Sequence, residues 1–418
     1  MNGDRITIME NFDELIKEYA HLVISKGLNL HKGQRLLISC PVECAEFARI
    51  CTSEAYHLGC KEVIVRWKDD DITRKKFLFA AEEVFDAIEP WEVLFFNSMA
   101  EEKACWLRIH AENPENMKNV DTGRIRRAQV SIGKTMEVFR KAQMKNLYKW
   151  CVCSVPIKSW AKTVFKNLSE EDAVTKLWEE VFSACRIVQG NSENNWKEHT
   201  ENLKKHIDIL NKYSFKKLHY KSSAGTDVIV ELIDNSFWSG GREKTPDGET
   251  FSANIPSEEV FISPKKNGVN GTIVATKPLI YKGALIDGFS FLVKDGRIID
   301  VHADVGEDVL RDAISVDEGA SYFGEIALVP YNSPISQSGL LFYCTLFDEN
   351  ASCHFAFGRG FPCIEGADKM SEEEIQNKGI NYSITHVDFM IGTSDMWING
   401  ITKEGAEVPV FRNGNFAF

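Results

Sequence analysis

Between Tyr322 and Gly392 the chain sets Glu325, Glu349, His354, His386 and Asp388 into stretches that are otherwise apolar, and no other feature constrains its folding as strongly. The segment reads Y-F-G-E-I-A-L-V-P, then F-D-E-N-A-S-C-H-F-A-F-G-R-G-F-P, then I-T-H-V-D-F-M-I-G. An ionised carboxylate in such surroundings needs a cation or several hydrogen bonds beside it. Histidine and carboxylate donors without cysteine suit divalent Zn, Co or Mn, and carboxylate-rich sets can hold two ions. Together with Glu259 from upstream, the segment reads as a hydrolytic metal site.

The rest of the composition narrows the setting. A chain of 418 residues is long for one core, so two domains are expected. With 44% hydrophobic and 26% charged residues it has the balance of a globular protein, and no apolar run approaches the roughly 18 residues of a membrane span. The formal charge of −12 argues against nucleic acid or an anionic membrane as the main partner. The opening M-N-G-D-R-I-T-I-M-E-N-F lacks the basic region and apolar core of a signal peptide, so a cytoplasmic location is expected. The 11 cysteines are scattered, and neither Cys151/Cys153 nor Cys353/Cys363 has C-x-x-C spacing. They read as free thiols in a reducing compartment.

The periodicity predicts an α/β first half and an α+β second half. In the first, helical spacing over 10–25 and 45–58 alternates with strand-like runs at 35–40, 61–67, 105–111 and 149–156. A basic helix spans 122–142, its Arg/Lys cluster reading as a solvated face, and polar helices follow near 169–185 and 194–212. Such alternation implies a doubly wound parallel sheet covered on both faces. No G-x-G-x-x-G and no G-x-x-x-x-G-K-[ST] occurs there, so nothing supports a nucleotide role. Near 213 the texture changes to short alternating strands, with Lys294–Arg297 as a hairpin turn and further strands near 322–330, 340–346, 383–391, 396–401 and 408–411. Two domains follow: 1–212, α/β, and 213–418, β-rich and mixed, carrying the metal ligands.

Each candidate also has a plainer reading. His386 and Asp388 share one face of a strand, which suits two ligands on one ion, or else a histidine paired with its neighbouring Asp. Glu325, in F-G-E-I-A-L-V-P, needs an Arg or a metal as partner, and Gly324 before it would let another backbone come close. Glu349 and His354 meet only if the backbone turns between them; otherwise they belong to an ordinary capped loop. Of the adjacent Glu258 and Glu259, alternation allows one to be a direct ligand and leaves the other as a general base, an amine binder or a surface charge. No G-x-S-x-G and no H-E-x-x-H is present.

Taken in order, N-I-P-S-E-E-V-F-I-S-P, G-E-I-A-L-V-P, L-F-D-E-N-A-S-C-H-F-A-F-G-R-G-F-P and T-H-V-D-F-M-I-G resemble the blocks of the thermophilic-type metallo-aminopeptidases, the aminopeptidase T-like peptidase family M29. That resemblance implies a two-metal exopeptidase acting on the N-terminal residues of short peptides. Its ligands would be Glu259, Glu325, Glu349, His354, His386 and Asp388, with Glu325 as the bridge. It implies zinc, cobalt or magnesium as the two divalent ions, and a homodimer whose N-terminal domain restricts the cleft. Glu258 is the expected general base. One departure stands out: Phe361 lies where the family usually carries a Tyr able to donate to an oxyanion, so Arg359 or Tyr382 is expected to take that part. Two other readings compete: a two-metal hydrolase of a non-peptide ester or amide, and a catalytically weakened, metal-stabilised binding protein.

Overall fold

The computed structural model describes residues 11–281 and 284–418. Two compact units make up the chain, one of Met1–His199 with Arg242–Pro256 and the other of Thr200–Gly241 with Ser257–Phe418.

The first unit is built on the parallel strands β1 (Arg35–Pro41), β2 (Glu62–Lys68), β3 (Cys105–His110) and β4 (Trp150–Ser154), in the order β2-β1-β3-β4. Leu36, Leu37 and Ile38 are consecutive and all buried, as a strand covered on both faces requires. Covering helices include α1 (Phe12–Leu22), α2 (Ala45–His57), α3 (Asp70–Phe79) and α4 (Pro90–Glu101). In α1, Leu15, Ile16, Tyr19 and Leu22 fall on the buried side at helical spacing, and Asp69 caps α3 by accepting from the Ile72 N–H at 2.9 Å.

The helix expected over 122–142 is two helices, α5 (Thr122–Thr135) and α6 (Glu137–Met144). Met136 leaves helical geometry at φ −92°, ψ 19°, and packs with Phe139, Ala142 and Tyr148 in an apolar cluster. The basic cluster is partly neutralised within the fold, since Arg124 and Arg127 both pair with Glu82, and Arg127 also pairs with Asp86 at 2.6 Å. Three further helices follow: α7 (Lys158–Val164), α8 (Glu170–Ala184) and α9 (Ser192–Tyr213). The chain then returns to the first sheet, where Asn254–Ile255 pairs parallel to β4. Lys149, 2% exposed, anchors the returning segment by reaching Glu249 at 2.7 Å and the Asn29 carbonyl at 2.6 Å. All 11 cysteines are free and buried.

The second unit is β-rich. Its larger sheet contains β5 (Lys217–Lys221), β6 (Asp227–Leu232), β8 (Pro264–Val274), β9 (Ser290–Lys294), β10 (Arg297–His302), β14 (Trp397–Ile401), β15 (Glu407–Arg412) and β16 (Asn415–Phe416). Their order is β10-β9-β8-β6-β5-β14-β15-β16, and the pairings are antiparallel. Asp295 and Gly296, at φ +48° and +80°, make the expected hairpin turn between β9 and β10.

The smaller sheet has the order β7-β11-β12-β13, from β7 (Val260–Ile262), β11 (Phe323–Leu328), β12 (His354–Gly358) and β13 (His386–Met390). Phe323, Phe355, Phe357 and Phe389 point from it into a core shared with Phe291 of the larger sheet and with Phe289, which immediately precedes β9. The strand expected over 340–346 does not form; Thr345–Asp348 is a helical turn instead. Asp348 accepts from the Phe342 N–H at 2.7 Å and the Cys344 N–H at 3.0 Å, and so curls the segment that a strand would need extended.

Candidate metal centre

The smaller sheet has one face for the core and one for chemistry, and its register sorts the residues. Glu325 lies opposite Ala356, and Ala356 opposite Asp388, so three side chains stand in a row across β11, β12 and β13. His354 lies two residues from Ala356 and His386 two from Asp388, so both join that face. Glu259 precedes β7 by one residue and shares the side of Phe261, which lies opposite Ala327. The methyl group of Ala356 is all that separates the outer two carboxylates within the row.

A bulge makes this sorting possible. Phe323 and Glu325 are two apart and would share a face in a regular strand, yet Phe323 pairs with Phe357 and Glu325 with Ala356. The extra residue is Gly324, whose backbone passes so close to Arg359 that a Cβ there would collide with the Arg359 carbonyl. Phenylalanine goes to the core and glutamate to the opposite side.

The result is two overlapping groups of donors. Glu259, Glu325 and His354 form one and Glu325, His386 and Asp388 the other, with ligand atoms in each within 4.8 Å of one another. Glu325 belongs to both. His354 Nε2 lies 3.2 Å from Glu259, and His386 Nε2 lies 3.1 Å from Glu325 and 3.2 Å from Asp388. The far side of each ring is fixed by the main chain: His386 Nδ1 is 2.7 Å from the Arg359 carbonyl and His354 Nδ1 3.1 Å from the Ser352 carbonyl. A carbonyl only accepts, so each Nδ1 carries a proton and each Nε2 is turned toward the carboxylates.

The electrostatics are those of a site short of positive charge. Burial, with the Glu259 and Asp388 charges, holds Glu325 above the ordinary carboxylate range despite His386. Glu349 is held far above it by burial and the charges of Glu259, Asp388 and Glu325. Burial alone would lower His354, but the hydrogen bond and charge of Glu259 outweigh it and push the imidazole up to about 10. Burial opposes the charge on His386 in the same way, and Asp388 and Glu325 outweigh it to raise that imidazole too. Burial would raise Asp388, yet the His386 charge overcomes it and leaves this carboxyl below its ordinary value. No Lys or Arg forms an ion pair with Glu259, Glu325 or Asp388 among the described residues, so a divalent cation is the partner that fits this donor set.

The other expected residues fall at different distances from this arrangement. Glu349 opens the turn Glu349–Ala351; it feels the same charges but is outside both donor groups. Glu258 is buried beside Glu259, with its N–H donated to Asn350 Oδ1 at 2.6 Å. The Arg359 guanidinium stacks 4.9 Å from the Tyr382 ring and meets Glu372 at 3.3 Å, and no contact joins either side chain to the donor groups among the described residues. Phe361 packs against both Phe261, at 5.3 Å, and His386, edge-on at 5.1 Å, forming an apolar wall on the chemical face.

Sequence reasoning passed over three contributors. Asn350 anchors Glu258 and donates to the Leu346 carbonyl at 2.9 Å. Ser263 holds the strand ends, its hydroxyl 2.7 Å from the Gly324 carbonyl and 2.8 Å from the Phe361 N–H. Ala356 provides room. Only Asn350 left a trace, an amide set in D-E-N-A-S-C-H that the fold buries completely, whereas the other two act through partners distant in sequence.

Known proteins are similar over nearly the whole length. A family model described as thermophilic metalloprotease (M29) matches residues 12–416. Aminopeptidase AmpS of Bacillus subtilis (strain 168) is 41% identical over 411 residues, covering 98% of this chain and 100% of that one. Aminopeptidase 2 of Geobacillus stearothermophilus is 42% identical, covering 98% and 99%. The solved structure of wild-type AmpT from Thermus thermophilus superposes with a TM-score of 0.91 at 34% identity, covering 97% of this chain and 100% of that one.

Proposed function

This chain belongs to the thermophilic metalloprotease (M29) family and is a metallo-aminopeptidase, and from that premise we propose that it removes N-terminal residues from short peptides at a site holding two divalent ions. The observation that carries the two-ion reading is the sharing of Glu325 between the two donor groups. Glu259 and His354 would hold one ion, His386 and Asp388 the other, with Glu325 between them and Glu349 closing the set. Zinc, cobalt and magnesium are the candidate ions. When bound, such ions polarise a carbonyl and lower the pKa of a water.

The chain's own groups do the rest. The main-chain carbonyls of Ser352 and Arg359 keep both imidazoles aimed while substrate enters and product leaves. Glu258, whose main-chain N–H is held by Asn350, would take a proton from the attacking water onto its carboxylate and return it to the leaving amine. Phe261 and Phe361 exclude water from one side of the reacting amide. Phe361 has no hydroxyl to offer an oxyanion, so that donor role is assigned to Arg359 or Tyr382. We further propose a cytoplasmic homodimer. No helix among the described residues is long and apolar enough to cross a membrane.

Elemental analysis of His354→Ala and Asp388→Ala, with turnover of an aminoacyl-anilide and a dipeptide panel, tests the reading. Both variants should lose metal and activity together. Full metal content and full turnover in both would overturn the ligand assignment. Faster turnover of simple esters than of any peptide would overturn the substrate class.

A further inference from the structure

The strand that carries His386 and Asp388 is entered through a segment with its polar side chains inside. Over 381–384, Asn381 and Ser383 are buried while Tyr382 and Ile384 are exposed. Buried amide and hydroxyl groups need hydrogen-bond partners, and here the partners come from two places distant in sequence.

Asp317, at the head of the turn Glu318–Ser321, supplies the first. Its carboxylate accepts from the Ser383 hydroxyl at 2.8 and 3.0 Å, from the Ile384 N–H at 2.7 Å and from the Ala320 N–H at 2.8 Å. The Ser383 hydroxyl, its proton committed to Asp317, accepts from the Thr385 N–H at 3.2 Å. The end of β12 supplies the second. Asn381 Nδ2 donates to the Gly358 carbonyl at 2.6 Å and to the Gly319 carbonyl at 2.8 Å, and the Gly360 N–H donates to the Asn381 carbonyl at 2.9 Å. The fit is close, because a Cβ at Gly319 would strike the Tyr382 carbonyl and one at Gly358 the Thr385 carbonyl. Bonds to a carboxylate are about twice as strong as neutral ones, which makes Asp317 the firmest link of this clasp.

The contacts converge on one imidazole. The Thr385 carbonyl accepts from the Arg359 N–H at 2.7 Å, and the Arg359 carbonyl accepts from His386 Nδ1. Residue 359 therefore follows residue 385, and the ring follows residue 359. His354 is tethered to Ser352 instead, and among the described residues Ser352 has no hydrogen bond to Asp317, Asn381 or Ser383.

We propose that Asp317 is a positioning residue for the ion held by His386 and Asp388 and not for the one held by Glu259 and His354, an inference that rests on the two-ion reading above. Without its carboxylate, 383–385 loses its anchor, Arg359 moves with Thr385, and His386 is no longer aimed at Glu325 and Asp388.

Zinc titration of the full chain in competition with a chromophoric chelator tests this. The wild-type chain should take up two zinc ions. Asp317→Ala should keep one at wild-type affinity and bind the other roughly 10–100-fold more weakly, the cost of losing a supporting partner. Asp317→Asn, which retains one acceptor oxygen, should weaken the same ion by less, and it serves if the alanine variant does not fold. A metal-free readout separates this proposal from the two-ion reading. In chelator-treated protein, proton NMR should show the His386 Nδ1–H exchanging with solvent faster in either variant, with the His354 Nδ1–H unchanged. A wild-type chain that binds a single zinc ion would overturn the two-ion reading, and the imidazole protons would still decide the role of Asp317. Equal weakening of both zinc ions, unchanged zinc binding, or equal loss of protection at both imidazoles would overturn the proposal.

Discussion

At the scale of single residues, the candidate centre is a balance of charge that protons and metal ions compete to restore. His354 titrates near 10 in the folded protein against an ordinary 6.5, so the metal-free fold holds a proton that the unfolded chain has already released. The stability this provides is complete below pH 6.5 and disappears as pH rises toward 10. Thermal melts of chelator-treated protein should therefore fall between pH 6.5 and pH 9.5 by more than melts of metal-loaded protein, in which cations replace the protons. Parallel curves would refute it. Asn350 tests a different link. Asn350→Ala removes the acceptor for the Glu258 N–H, and kcat should fall roughly 10–100-fold with metal content retained, the usual size of an effect on a supporting residue. Arg359→Ala should likewise spare metal content, because His386 leans on the carbonyl of that residue and not on its side chain, while kcat drops on the order of 10²-fold if the guanidinium is the oxyanion donor.

At the scale of elements, the sequence was most legible where side-chain alternation and burial agree. His386 and Asp388 show their common face by spacing alone, and β1 announces itself through the unbroken apolar run Leu36–Ile38. Legibility failed where a particular side-chain contact, and not the periodic pattern, decided the backbone. The run L-L-F-Y-C-T-L-F has strand composition, but Asp348 folds it back through two N–H groups, and nothing local marks that carboxylate as different from a surface one. A periodic helix breaks at Met136, which packs in a cluster with Phe139 and Tyr148. Gly324 was readable as a place of close approach, but that it flips Glu325 away from the core depends on register with β12. Gly324→Ala should consequently cost both stability and metal binding, since the added methyl forces β11 away from Arg359. Circular dichroism melts and metal titration on the same sample would check this. A normal melt with full metal occupancy would show that the bulge tolerates a side chain.

At the scale of the whole molecule, the chain crosses between its two units more than once. The expected single cut after residue 212 rested on texture, yet Arg242–Pro256 returns to the first unit and adds a short strand to its sheet. Composition does not reveal this, because the returning segment is too short to carry a period and is held by Lys149, whose partner Glu249 is 100 residues on (249 − 149). Lys149→Met should raise amide exchange across Arg242–Pro256 while leaving β11–β13 protected, read by hydrogen–deuterium exchange mass spectrometry. Uniformly raised exchange would mean that the lysine supports far more than this strap.

The two imidazole tethers have an evolutionary corollary. Every amino acid brings an identical peptide oxygen, so a change of side chain at 352 or 359 leaves the acceptor for each ring in place, whatever else is lost with the Ser352 hydroxyl, which accepts from the Gly392 N–H at 2.8 Å, or with the Arg359 guanidinium. The orientation of the histidines is thereby inherited with the path of the chain rather than with any particular neighbour. For the aim of the two rings, what has to be held constant is the course of the main chain, and the side chains at 352 and 359 answer to other demands.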